Sequence, residues 1–171
     1  MLENSTLSNI RNKLANGPHM IISNFVGKNC VIPEIQAKSK PDAIKELTHL
    51  LFDKKKMDNV EMALEQVVAR EITESTGIGY GIAVPHARVP GMKTLACAVG
   101  RVPDGIDFMA VDREPVKLIF LICYPPSQQT AFLNFVATIA SLLGDKEHFD
   151  ALMAADAEDT IFAVLEEVSE T

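Results

Sequence analysis

The chain has 171 residues, 47% of them apolar and 23% charged, with a formal charge of −7. That length suits one domain with a substantial core, the composition excludes extensive disorder, and the acidic balance speaks against a nucleic-acid partner or a basic stripe for anionic lipid. With no basic and apolar leader and no apolar run near the roughly 18 residues a membrane span needs, the protein is expected to be cytoplasmic without membrane insertion.

Leu7, Ile10 and Leu14 stand at helical spacing behind a Ser or Thr cap, and Asn16-Gly17-Pro18 stops that helix. This arm over residues 5–15 is expected to pack back on the body or on another copy, and it is the one hint of a homo-oligomer. Residues 1–20 are therefore read as an N-terminal extension and residues 21–171 as the main domain. A brief strand is expected over residues 30–32. A helix follows, with Ser39 as cap, Pro41 in the first turn and a stripe of Ala43, Ile44, Leu47, Leu50 and Leu51, ending at Lys54-Lys55-Lys56. A second helix runs from Asn59 as cap through Ala63, Leu64, Val67 and Val68 to Arg70, so Arg70-Glu71 falls at a helix end. After the segment 77–88, strands are expected over 95–102 and 116–124, with Pro103-Asp104-Gly105 as a turn between them. Helices over 128–143, 146–155 and 158–168 complete the chain. Strands clustered between helical blocks imply a three-layer helix/sheet/helix domain around a small mixed sheet, an α+β (mixed α/β) fold.

Cys30, Cys97 and Cys123 are odd in number and set in apolar surroundings, as reduced core thiols are. No Cys-x-x-Cys or His-Glu-x-x-His string is present, and His19, His49, His86 and His148 lack ligand spacing, so no metal is expected.

Residues 77–88 read Gly-Ile-Gly-Tyr-Gly-Ile-Ala-Val-Pro-His-Ala-Arg. Alternate glycines let a second backbone or a bulky anion approach closely, and Ile82-Ala83-Val84 supplies a short buried strand. Pro85 cannot donate to a ladder, so pairing is expected to end there and present His86 at the strand exit. A loop histidine after a core strand is the alternative. The neighbours favour chemistry: Arg70, Glu71, Ser75 and Thr76 precede closely, a set suited to a bound dianion. A neutral imidazole nitrogen attacks phosphorus readily near neutral pH, and transfer needs positive charge and N–H donors around the phosphoryl oxygens. Arg70 supplies a donor fork, Ser75 and Thr76 hydroxyls, and Gly77 and Gly79 approachable backbone N–H groups. Glu71 is better suited to orienting a neighbour. Arg88 contacts either phosphate or a partner, and Tyr80 either covers the site or packs.

The stretch from Glu71 to Ala87 resembles the active-site pattern of the mannitol/fructose/nitrogen-regulatory (type 2) EIIA domain of the bacterial phosphoenolpyruvate:sugar phosphotransferase system. The acidic residue, Ile78-Gly79, Ile82-Ala83-Val84, Pro85-His86 and Ala87 match in order, and Arg70 matches the family's arginine sixteen residues before its histidine. The resemblance covers about residue 21 to the C-terminus. It implies the type 2 EIIA fold, a phosphoryl group accepted on His86 from an HPr-like phosphocarrier, and its delivery to a IIB domain or its use as a regulatory signal on a target protein. It implies no diffusible cofactor.

One position departs from the pattern. The family commonly places a second histidine at the start of the helix after the last central strand, where this chain has Phe132. A phenyl ring gives no N–H to a phosphoryl oxygen, which leaves a second reading, a regulatory docking module with weak or absent transfer, unless Gln128, Gln129 or Thr130 supplies the donor. A structural scaffold, as in related cytoplasmic domains of anion transporters, is a third reading that the full phosphate constellation opposes.

Overall fold

The computed structural model describes residues 20–170; the arm read over residues 5–15, and with it the hint of self-association, lies outside them. Six strands form one mixed sheet: β1 (Val26–Ile32), β2 (Gly77–Gly79), β3 (Ile82–Ala83), β4 (His86–Arg88), β5 (Ala96–Ile106) and β6 (Val116–Tyr124). The order is β1-β5-β6-β3-β2, with β4 on β6 beside β3. β5 and β6 are antiparallel, whereas β1 on β5, and β3 and β4 on β6, are parallel.

Period-two alternation along β6 builds two cores. Ile119, Leu121 and Cys123 face a cluster with α1 (Lys40–Asp53) and α2 (Val60–Thr73), which contribute Ile44, Leu47, Leu51, Ala63 and Val67. Leu118, Phe120, Ile122 and Tyr124 face α3 (Gln129–Leu143), α4 (Lys146–Ala154) and α5 (Glu158–Glu170), which contribute Phe135, Ile139, Leu152, Ile161 and Leu165. The result is the expected helix/sheet/helix sandwich. Both expected caps form: Ser39 accepts from the Asp42 N–H at 3.3 Å, and Asn59 accepts from the Met62 N–H at 2.9 Å. The three cysteines are free and buried, and burial pushes the Cys123 thiol up to about 12. Among the described residues, no helix is long and apolar enough to cross a membrane.

Two expectations are corrected. Pro103-Asp104-Gly105 is not a turn between strands: β5 continues through it, because a register shift between Arg101 and Ile106 takes Pro103 out of the ladder and Gly105 adopts φ +78°. Nor does sheet pairing end at Pro85. β3 stops at Ala83, the Pro85 carbonyl then accepts the Ile122 N–H at 2.9 Å, and β4 resumes parallel pairing with His86 opposite Ile122. Proline lacks a donor but keeps its acceptor.

Candidate functional site

His86 is held by strand pairing and is half-buried. Its Nδ1 lies 2.9 Å from the Val84 carbonyl. A carbonyl only accepts, so Nδ1 carries the proton and Nε2 keeps the lone pair. Burial lowers the imidazole pKa from its ordinary value; the Val84 hydrogen bond opposes this, nearby Arg70 lowers it further and Glu71 raises it. The ring is thus a neutral base with a fixed tautomer.

Arg88, two residues along β4, points to the same side as His86. It stands opposite Tyr124 in the ladder, is exposed, and acts electrostatically on the Tyr124 phenol, as does Arg70. Arg70 lies in the last turn of α2, donates from Nη1 to the Glu74 carbonyl at 2.8 Å, and acts electrostatically on the His86 imidazole. Arg70 thus acts on both the imidazole and the Tyr124 phenol, and Arg88 on the phenol.

Phe132, at the start of α3, packs on this arrangement. Its ring centroid is 4.6 Å from that of His86 and 4.3 Å from that of Tyr124, stacked on the latter at 6°. The phenyl ring is a wall without a donor. Of the residues offered as replacement donors, Gln128 accepts the Leu95 N–H at 2.8 Å and Gln129 accepts the Tyr124 hydroxyl at 3.0 Å, each through Oε1; Thr130 is exposed. Tyr124 belongs to the site's surround and was missed in the sequence, where it reads only as the end of an apolar strand.

In the segment before the histidine the side-chain donors are engaged within the protein. The buried Thr76 donates its N–H to Glu71 Oε1 at 2.9 Å and its hydroxyl to Oε2 at 2.6 Å. Ser75 donates to the Phe108 carbonyl at 2.6 Å and accepts the Gly77 N–H at 3.1 Å. A Cβ on Gly77 would stand 2.7 Å from Ala110 Cβ and 2.8 Å from its Cα. Gly79 precedes a hairpin turn in which Tyr80 and Gly81 both have positive φ, the type I′ pattern. Tyr80 at this tip is exposed and donates its N–H to Asp112. Because Ile82 pairs with Leu118 while His86 pairs with Ile122, the tip lies at the other end of the sheet edge from the imidazole. The structure thus places Arg70, Glu71 and Phe132 near His86, with Arg88 on the same side of β4, ties Thr76 to Glu71 and Gly77 to Ser75, and sets Gly79 and Tyr80 apart.

A family model described as "Phosphoenolpyruvate-dependent sugar phosphotransferase system, EIIA 2" matches residues 24–168. The chain is 31% identical over 146 residues to the fructose-specific EIIABC component of Bacillus subtilis, covering 85% of this chain and 23% of that larger protein. It is 30% identical over 146 residues to a nitrogen regulatory protein of Bradyrhizobium diazoefficiens, covering 85% of this chain and 95% of that one. Among solved structures, the nitrogen regulatory protein IIA-Ntr of Neisseria meningitidis superposes with a TM-score of 0.78 at 27% identity, over 85% of this chain and 99% of that chain. Enzyme IIA for mannitol of Escherichia coli, solved in complex with phosphorylated enzyme IIB, shares the fold with a TM-score of 0.70 at 18% identity, over 82% and 96%. The chain belongs to the EIIA 2 family of the phosphoenolpyruvate-dependent sugar phosphotransferase system.

Proposed function

We propose that His86 is a phosphoryl acceptor, charged by an HPr-like phosphocarrier and discharged to a IIB domain or held as a regulatory signal. The observation that carries this reading is the tautomer: Nδ1 engaged by the Val84 carbonyl leaves Nε2 as a neutral nucleophile. In the transfer, the Nε2 lone pair forms a new P–N bond while the P–N bond of the donor phosphohistidine breaks and its electron pair returns to the donor ring. The donor ring leaves as a neutral imidazole because its other nitrogen carries a proton, and His86 keeps its Nδ1 proton as a phosphorylated imidazolium beside the phosphoryl dianion, so no general base is required. Arg70 and Arg88 meet the phosphoryl charge. Ser75, Thr76 and Gly77, whose donors already have partners within the protein, support the site from behind. Both partner types are consistent with relatives named as sugar components and as nitrogen regulatory proteins, and the IIB partner with the structural neighbour solved beside IIB.

The test is incubation with phosphoenolpyruvate, enzyme I and a phosphocarrier, followed by intact mass measurement. An acid-labile phosphoryl group that disappears in His86→Ala is expected; a folded wild-type protein left unlabelled by several phosphocarriers would overturn the reading. One observation favours the docking module as a second reading, the Phe132 ring standing 4.6 Å from the imidazole, where a histidine would donate.

A further inference from the structure

The polar layer behind the site converges on one ammonium that no step above uses. Lys40 Nζ lies 2.6 Å from Glu71 Oε1, with the two side chains 18% and 5% exposed. It also donates to the Phe108 carbonyl at 3.1 Å and sits 4.8 Å from the centroid of that ring. Glu71 in turn takes both donors of Thr76. The Thr76 carbonyl accepts the Val84 N–H at 3.0 Å, and the Val84 carbonyl receives His86 Nδ1 at 2.9 Å. A continuous chain of polar contacts therefore runs from Lys40 through Glu71, Thr76 and Val84 to the imidazole. The same Glu71 is bonded in sequence to Arg70, so whatever fixes its carboxylate also fixes the helical turn that carries the guanidinium.

A buried ion pair is weak evidence for stability, because desolvating two charges offsets much of their attraction. Its value here is geometric. Without the ammonium, the Glu71 carboxylate would be buried and uncompensated, and it would turn toward water, releasing Thr76 and with it the backbone that sets the histidine tautomer. We propose that Lys40 is a positioning residue, acting through Glu71 and Thr76 to fix both the His86 ring and the Arg70 turn. This rests on the reading of His86 as the phosphoryl acceptor. The reacting atoms in such a transfer must be held in line, and small misplacements are costly.

The test compares wild type with Lys40→Met and Lys40→Arg in two assays. In single-turnover phosphorylation by a phosphocarrier, Lys40→Met is expected to lower the rate at saturating donor by roughly 10- to 100-fold, with KM for the donor changed by less than about two-fold and most of the loss recovered in Lys40→Arg. In nitrogen-15 NMR of the ring, wild type is expected to show the Nδ1–H tautomer alone and Lys40→Met a mixture. A folded Lys40→Met protein with the wild-type saturating rate and a single tautomer would overturn the proposal. Should Lys40→Met not fold, Thr76→Val cuts the chain one link further on and carries the same expectation and the same overturning result. The ring measurement keeps two failures distinct: an unlabelled wild type contradicts the phosphoryl reading, while unchanged tautomers in the variants contradict the role of Lys40.

Discussion

The imidazole of His86 is defined less by its own pKa than by the carbonyl two residues before it. Burial, reinforced by Arg70, holds the folded pKa below the ordinary value of about 6.5. For a group whose folded pKa is lowered, the unfolded chain binds more protons between the two midpoints, so stability rises with pH across that window. The contribution is fully present above about 6.5 and is lost as pH falls through the lowered midpoint. NMR titration should place the His86 midpoint below that of a model imidazole, and phosphoryl acceptance should persist as pH drops until that midpoint is reached; a midpoint at or above the model value contradicts the environment described. Phe132 makes the second residue-scale prediction. Phe132→His places a donor where the phenyl ring now stands, and single-turnover transfer should rise by up to the roughly 10²- to 10³-fold that one such donor contributes in other enzymes. An unchanged rate would mean that the wall is not what limits transfer. The proposed nucleophile stood out in Pro85-His86, and so did the departure at Phe132. The Tyr124 stack and the Lys40 contact did not, because each joins residues distant in sequence through packing that leaves no local pattern.

At the scale of elements, the caps and the helical stripes could be read directly, since Ser39 and Asn59 act within three residues of themselves. The strands were harder. β4 is three residues long and follows a proline, and its pairing depends on β6 some 36 residues further on, so its existence is a tertiary fact. The glycines carried a real signal, and at Gly77 its cause is the close approach of a second backbone that the sequence reading allowed. Gly77 is demanded by Ala110 pressing on it, and Gly79 and Gly81 by a tight hairpin. Gly77→Ala should therefore destabilise the fold by about 1 to 3 kcal/mol through overpacking, measured by urea denaturation. A wild-type midpoint in that variant would show that the 108–112 segment yields freely.

For the whole molecule, the mixed sheet is a shared wall between two apolar clusters, and β6 contributes to both on alternate residues. The three-layer class followed from the order of helical and strand-like segments, whereas the strand order, with β4 and β3 on one edge of β6, did not. Because both clusters share β6, loss of packing on one side should be felt as a single cooperative transition. Phe135→Ala, which empties a fully buried position on the α3 side, is expected to cost about 3 to 5 kcal/mol without splitting the denaturation curve. Two separated transitions would argue for independent halves. The sheet also explains how a small domain keeps a histidine reachable and fixed together: β4 is pinned to the central β6, while the ring stays half-buried against Phe132 of α3.

That arrangement reduces to one claim about one atom, and it can be measured on the phosphorylated protein. Charged through a phosphocarrier and examined by phosphorus-31 and nitrogen-15 NMR, the chain should carry its phosphoryl group on Nε2 of His86, with Nδ1 still protonated toward the Val84 carbonyl. A phosphoryl group on Nδ1, or on any other residue, would contradict it.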